Sequence, residues 1–196
     1  MFEVLQYDFI QNALIAGVLI SIAAGIIGSL VVVNKITFLT GGIAHSSYGG
    51  IGLAIYLGIP FLFGATIFAV LTAIIIAVLI AIITLNNRNR IDAIIGMMWA
   101  SGMAIGIIFV DLTSGYNVDL MSYLFGSIIA VSSEDIKYMF VMDIFIIAVI
   151  IYFYKEILAV SYDSEFATLR GINVKFFYTL ILILAALCVV AAIKAV

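Results

Sequence analysis

The residues best suited to chemistry lie in segment 37–52, which combines the one histidine of the sequence, His45, with hydroxyl side chains and five glycines. A neutral imidazole nitrogen suits zinc, iron, copper or nickel and tolerates manganese. An ionisable group in an apolar chain tends to face the protein interior or an aqueous path. We therefore interpret His45 as the leading metal ligand on a substrate path. The alternative is a buried histidine that bonds a neighbouring helix.

Asp143 is the second ionisable group inside an apolar run. Counted by helix rise, it lies about 10 Å below the membrane surface. It either contacts a passing cation on the same substrate path or bonds a neighbouring hydroxyl. Met97, Met98 and Met103 offer soft-metal thioethers, although methionine more often serves packing. One histidine, one cysteine and no His-Glu-x-x-His spacing argue against a hydrolase or metalloprotease.

Glycines recur on the faces that must pack around His45. On a helix, Gly41, His45, Gly49 and Gly52 share one face, which an incoming ion could approach closely. Glycine also lets neighbouring backbones come together, as in a Gly-x-x-x-Gly pair. We assign a helix-packing role to Gly41, Gly42, Gly49, Gly52, Gly102 and Gly106.

Membrane-spanning helices must position these residues. Apolar residues make up 66% of the 196 residues and charged residues 10%, against about 45–50% and about 25% in soluble domains. The net charge of −3 gives no sign of a nucleic-acid partner. We expect a multi-pass protein in the bilayer of the cell (plasma or inner) membrane. Long apolar runs predict helical spans at 9–33, 38–57, 61–85, 92–110, 136–160 and 174–196.

A shorter apolar segment, 118–131, predicts a re-entrant or interfacial helix, because it reaches only about 21 Å of a hydrocarbon core of roughly 30 Å. If it does not cross, one side collects six basic residues: Lys35, Arg88, Arg90, Lys155, Arg170 and Lys175. The positive-inside rule then places the N-terminus outside and segment 161–173 in the cytoplasm. If it did cross, this bias would vanish.

Segment 161–173 predicts a short amphipathic helix of about two turns. Ser161 or Asp163 can cap its start, Glu165 suits its first turn, and Gly171 suits its end. Such a helix is either a plain connector or a rigid knob that a cytoplasmic partner grips.

Three motifs carry a family resemblance. They are Tyr162-Asp163 with Glu165, Ala167 and Gly171; Gly28-Ser29-Leu30 through Asn34-Lys35 with Gly42-x-x-His45; and Leu124-Phe125-Gly126-Ser127-Ile128. In this order they resemble the coupling loop, the first loop with the second helix, and the mid-chain segment of the metal-type (zinc/manganese/iron) ABC permeases. The similarity spans nearly the whole chain.

The resemblance implies an all-α, type II ABC importer permease-like fold with about six spans and one short re-entrant or interfacial helix. Residues 1–196 would form a single transmembrane permease domain with a coupling loop at 161–173. In that family two permease copies form the path as a homodimer, and a cytoplasmic ABC ATPase grips the coupling loop. The residues implied in that contact are Asp163, Glu165, Ala167 and Gly171. An extracytoplasmic metal-binding protein delivers the ion.

The same resemblance sets expectations for the cargo. We expect a transported divalent metal ion, no stably bound cofactor, and ATP on the partner subunit, since this sequence lacks a phosphate-loop motif. Many family members carry an acidic residue at the position of Gly41, so its absence here argues against a tight site at His45 and leaves the ion open. Members continue for two or more further helices, so we expect a domain incomplete at its C-terminus.

We therefore expect a non-enzymatic permease subunit of an importer for zinc or manganese, possibly iron. The alternatives are a permease for vitamin B12 or iron-siderophore uptake, a channel or carrier without an ATPase, and an assembly subunit without transport of its own.

Overall fold

The computed structural model describes residues 7–59, 61–86, 91–113, 126–193 and 195, and the described part is helical without strands. The helices are α1 Asp8–Val33, α2 Phe38–Ser46, α3 Tyr48–Tyr56, α4 Phe61–Asn86, α5 Ile91–Asp111, α6 Ser133–Tyr152, α7 Tyr154–Tyr162, α8 Ser164–Leu169 and α9 Val174–Ala192, with a 3₁₀ turn at Ile128–Ala130. The predicted all-α class is confirmed.

Four of the described helices, α1, α4, α5 and α9, are long and apolar enough to cross a membrane. A fifth span results if α6 and α7 are counted as one, although they meet at an angle of 75°. The predicted fifth span, 136–160, is therefore not one straight helix but is bent after Tyr152. The C-terminal part of this segment forms α7, which lies at an angle to α6. Helix α7 contains Lys155 and Glu156, and these charged side chains would be costly to bury in lipid.

The predicted second span, 38–57, is divided into α2 and α3 at Ser47. Two hydroxyls lie at the break: Ser46 donates to the Gly42 carbonyl at 2.6 Å and Ser47 donates to the Ala44 carbonyl at 2.7 Å. Such bonds compete with the helix ladder and bend helices. Ser47 keeps right-handed helical angles (φ −63°, ψ −15°), so the chain continues in the same sense.

Helix α9 lies at the centre of the bundle and contacts α1, α2, α4, α6, α7 and α8. Small residues make this possible, because Ala185 and Ala186 are fully buried between their neighbours. On the other side of α2 and α3, helix α5 packs closely against both. The pair α2–α3, which carries His45, is thus enclosed by α4, α5 and α9.

Side-chain contacts identify the two ends of the bundle. A polar pocket of about 290 Å³ brings together the end of α1 and the starts of α5 and α9, with Asn34, Lys35, Ile91, Ser161 and Val174 among its lining residues. We call this the Lys35 end. At the opposite end, Asn12 near the start of α1 donates hydrogen bonds to the Val131 carbonyl (3.3 Å) and the Ser133 hydroxyl (3.5 Å).

The positions of the two ends indicate whether segment 118–131 crosses the bundle. Residues 118–125 of this segment lie outside the described residues. Helix α5 starts at Ile91 at the Lys35 end, and a helix of 21 residues is about 32 Å long, so Asp111 reaches the opposite end. Helix α6 begins at that same end with Ser133. The chain leaves α5 and enters α6 on one side, as expected of a segment that does not cross.

Four of the six basic residues on which the orientation rests are described. Lys35, Lys155, Arg170 and Lys175 are all exposed, and they belong to the Lys35 end or to helices adjoining it. Arg88 and Arg90 lie outside the described residues. The cytoplasmic location of this end remains a prediction.

Candidate functional site

His45 is partly buried near the end of α2 and lies flat against the indole of Trp99 on α5. The ring centroids are 4.2 Å apart and the planes differ by 8°. Its Nδ1 atom is buried and has no hydrogen-bond partner among the described residues. A metal-ligating histidine usually has its second nitrogen bonded to a carboxylate or carbonyl. In this structure the His45 ring is instead stacked on the face of the Trp99 indole.

Trp99 is itself held by its neighbours. Its indole N–H donates to Met103 Sδ at 3.3 Å, one helical turn along α5. The Phe38 ring contacts it with centroids 5.6 Å apart. Gly41 leaves the room that the indole occupies, because a Cβ at Gly41 would stand 3.3 Å from Trp99 Cζ3. The sequence analysis missed Trp99. Two features of the sequence could have pointed to it: it is the one tryptophan of the sequence, and it lies seven positions before Gly106 of a packing motif.

The glycines assigned to packing bring α2 and α3 against the backbone of α5. A Cβ at Gly49 would stand 3.1 Å from the Gly102 carbonyl oxygen, and one at Gly52 would clash with the Gly106 carbonyl. On α5, a Cβ at Gly106 would stand 2.6 Å from the Tyr48 carbonyl oxygen. Backbone contacts of this closeness require glycine.

The same contacts correct one expectation. The face shared by Gly41, His45, Gly49 and Gly52 was expected to be open to an ion, but α5 covers it. Trp99 fills the space beside Gly41, and Gly42 is closed by Ile95. Among the described residues, this face is therefore packed against α5 and is not an open surface.

Asp143 is buried on α6, with 5% of its surface exposed, and its Oδ2 atom has no hydrogen-bond partner within the described residues. The thiol of Cys188 on α9 is also buried. Buried polar atoms are nearly always paired, so an orphaned carboxylate oxygen needs an explanation. Asp143 is thus a protein-facing acid, as expected of an ionisable group at this depth.

His45 and Asp143 are not brought together. Helix α2 packs on α3, α4, α5 and α9, whereas α6 packs on α1, α7 and α9. The described residues contain no group of three or more histidine, cysteine, aspartate or glutamate side chains that could hold a metal ion.

The predicted short helix in segment 161–173 is present as α8, Ser164–Leu169. Asp163 is its N-cap, since one carboxylate oxygen accepts hydrogen bonds from the backbone N–H of Glu165 (3.0 Å) and Phe166 (2.9 Å). Gly171 ends it with φ +75°, where the Ile172 N–H reaches the Ala167 carbonyl at 3.0 Å. This left-handed end is the Schellman arrangement that favours glycine. Both ends of α8 are thus fixed.

Helix α8 presents a mixed surface. Ala167 is fully buried against the bundle, whereas Leu169 is 88% exposed and Phe166 48% exposed. The Arg170 guanidinium lies 5.1 Å from the Phe166 ring centroid, within cation–π distance. Beside the helix runs an open groove of about 700 Å³, lined in part by Glu165 and Leu169. The arrangement offers a rigid apolar knob with charges at its rim.

One further polar contact ties this region to the rest of the bundle. The Asn34 side-chain amide at the end of α1 donates to the Ser161 hydroxyl at 3.0 Å and to the Leu30 carbonyl at 2.9 Å. Ser161 precedes the Asp163 cap by two residues. The sequence analysis considered Ser161 only as a cap, and no sequence spacing joins it to Asn34.

A model of the ABC 3 transport family matches residues 6–196. An uncharacterized membrane protein of Synechocystis is 42% identical, covering 99% of this chain and 68% of that protein. The manganese transport system membrane protein MntC of Halalkalibacterium halodurans is 31% identical, covering 99% of this chain and 65% of that protein. The solved structure of PsaBC from Streptococcus pneumoniae in complex with Fab matches with a TM-score of 0.77 and 30% identity, over 97% of this chain and 67% of that one.

The chain spans about two thirds of the length of these relatives. The matched range includes both His45 and α8. The resemblance to the metal-type ABC permeases and the multi-pass membrane class are confirmed, and this chain belongs to the ABC 3 transport family.

Proposed function

We propose that this chain is a permease subunit of an ATP-driven importer of a divalent metal ion, with manganese or zinc as the first choice and iron as the next. The observation that carries the proposal is α8: a short helix capped at both ends, anchored by Ala167 and exposed at Leu169. A rigid knob of this kind suits a partner that must push on the bundle. Relatives named as metal or manganese transport membrane proteins support the choice of cargo.

The proposed mechanism couples α8 to the path near His45. An ATPase subunit grips α8, and Asp163, Glu165, Ala167 and Gly171 form or shape the contact. Motion of α8 passes through α7 and α9, which both contact it, and α9 in turn contacts α2. His45 gives the ion one neutral nitrogen ligand, and Asp143 is a second, separate contact. A weak site suits conduction, because the ion must leave again.

The proposal also includes a delivery protein outside the membrane and a second copy of this chain. An extracytoplasmic metal-binding protein delivers the ion, and a second copy of the permease forms the other wall of the path. The His45 ring edge left free by Trp99 then faces that path. The cargo itself needs no resident cofactor in this chain.

The coupling half is tested by co-purification with the ATPase subunit. Leu169→Asp should abolish co-purification, because it places a charge on an 88% exposed apolar contact. Leu112→Asp is the matched control, since Leu112 is 60% exposed at the opposite end of the bundle. Co-purification of Leu169→Asp at the level of the control would remove Leu169 from the contact, and absence of any ATPase from the purified unmodified protein would argue for a channel or carrier without an ATPase.

The cargo half is tested by growth and uptake of a His45→Ala strain in medium depleted of manganese, zinc or iron in turn. We expect impaired growth in the medium that lacks the carried ion. Unimpaired growth and uptake in all three would remove His45 from the mechanism. Uptake of vitamin B12 or a siderophore instead of a free ion would replace the cargo and leave the fold unchanged.

A further inference from the structure

We propose that Trp99 is a positioning residue for His45, fixing the plane of the imidazole and thereby the ring edge that meets the ion. The inference rests on the metal-permease role proposed above. It concerns a contact between α5 and α2 that the sequence motifs do not contain.

The first step is that, in the described part of the chain, no hydrogen bond at Nδ1 orients the ring. The final torsion of a histidine side chain is broad, so an unsupported imidazole samples many orientations. A ligating histidine is normally fixed by a hydrogen bond to its second nitrogen. His45 Nδ1 is buried without such a partner in the described part of the chain. The parallel stack on Trp99, with ring centroids 4.2 Å apart, restrains the plane of the ring instead.

The second step is that Trp99 is rigid enough to serve. Its N–H is bonded to Met103 Sδ, and Phe38 contacts its ring. A hydrogen bond at the indole N–H and a tilted aromatic contact from Phe38 together restrict rotation of the indole. The position of Trp99 on α5 therefore fixes the orientation of the His45 side chain on α2.

The third step concerns residue 41. A Cβ at this position would stand 3.3 Å from Trp99 Cζ3, tighter than ordinary packing. A side chain at residue 41 would therefore require the indole to shift by a few tenths of an ångström. Because Gly41 has no side chain, the indole keeps its present place beside it.

The experiment uses the protein in nanodiscs with ¹³C-labelled histidine, because His45 is the one histidine of the sequence. Ring protons above an indole face are shifted upfield, so Trp99→Leu should move the His45 resonances downfield and Trp99→Phe should keep part of the shift. Mn²⁺ is then titrated, and broadening of the same resonances gives its dissociation constant. Because an aromatic pair is worth roughly 0.5–1.5 kcal/mol, we expect about 2- to 10-fold weaker Mn²⁺ binding in Trp99→Leu. Trp99→Phe should restore most of the affinity.

Met97→Leu is the matched control, since Met97 lies on the same helix with 70% of its surface exposed; it should change neither signal. Protection of the buried Cys188 thiol verifies that each variant is folded. His45 resonances that do not respond to Trp99→Leu would overturn the stack, and equal Mn²⁺ affinity in Trp99→Leu would overturn the positioning role. If the shift is present but Mn²⁺ never broadens the parent resonances, the metal role of His45 fails and the positioning role falls with it, while the stack stands.

Discussion

The Asn34 amide donates a 3.0 Å hydrogen bond to the Ser161 hydroxyl across 127 positions of sequence. The contact joins the end of α1 to the segment that leads into the α8 cap. Asn34 also holds the Leu30 carbonyl at 2.9 Å, so its side chain closes the last turn of α1 at the same time. Any force on α8 therefore reaches α1 through a polar contact as well as through packing.

This contact predicts energetic coupling between the two residues. Asn34→Ala and Ser161→Ala should each destabilise the protein, and the double variant should cost about 0.5–1.5 kcal/mol less than the sum, because the shared hydrogen bond is lost only once. The free energy of unfolding is measured in detergent by exposure of the buried Cys188 thiol. Ser29→Ala is the control partner for Asn34→Ala, since its hydroxyl bonds only the Ile26 carbonyl of its own helix. Strict additivity of Asn34→Ala with Ser161→Ala would mean that the contact carries no energy.

The glycines of α5 should differ sharply in their tolerance of alanine. A Cβ at Gly102 would stand 2.5 Å from Ser46 Cα, so Gly102→Ala must push α2 away and should cost about 1–3 kcal/mol. Gly96 lies on the same helix with nothing within 4 Å of such a Cβ. Gly96→Ala should therefore leave stability unchanged or raise it by up to about 1 kcal/mol through helix propensity. Thermal midpoints of the two variants decide this, and similar midpoints would contradict the close approach of α2 and α5.

The cap of α8 should control its local stability. Asp163→Ala removes the acceptor for the Glu165 and Phe166 N–H groups and should cost about 1 kcal/mol, whereas Asp163→Asn retains an acceptor and should cost much less. Hydrogen exchange of these two amides measures the effect directly. ATPase co-purification should fall in the same order. Unchanged exchange in Asp163→Ala would show that α8 is held by its packing at Ala167 instead.

Replacing Asp143 by asparagine should lower transport without lowering the stability of the fold. Asp143→Asn keeps the shape of the side chain, and an unpaired buried carboxylate contributes little stability, so the thermal midpoint should stay the same or rise. Uptake should fall about tenfold if the carboxylate helps the ion over a barrier, a change of roughly 1.4 kcal/mol. Asp111→Asn, an exposed acid at the end of α5, is the control. Unchanged uptake in Asp143→Asn would restrict Asp143 to a structural role.

Local signals in the sequence were sufficient for the elements whose ends are set by neighbouring residues. Helix α8 is the clearest case, because a carboxylate at Asp163 and a left-handed glycine at Gly171 define its limits without help from the rest of the protein. Long apolar runs likewise predicted α1, α4, α5 and α9, since hydrocarbon requires a helix of that length. The divided second span and the bend at Phe153 were missed, because hydroxyl back-bonding and the angle between two helices do not appear in an apolar average.

The sequence by itself determined the membrane class, the all-helical fold, the family and the polar residues available for a site. Only the tertiary structure decided what those residues touch: that Trp99 lies on His45, that α5 covers the glycine face, and that Asp143 belongs to a different group of helices. The physical reason is that an apolar run must form a helix in a bilayer whatever its neighbours are. The face it turns to each neighbour depends on close packing between segments far apart in sequence, such as Ser46 against Gly102.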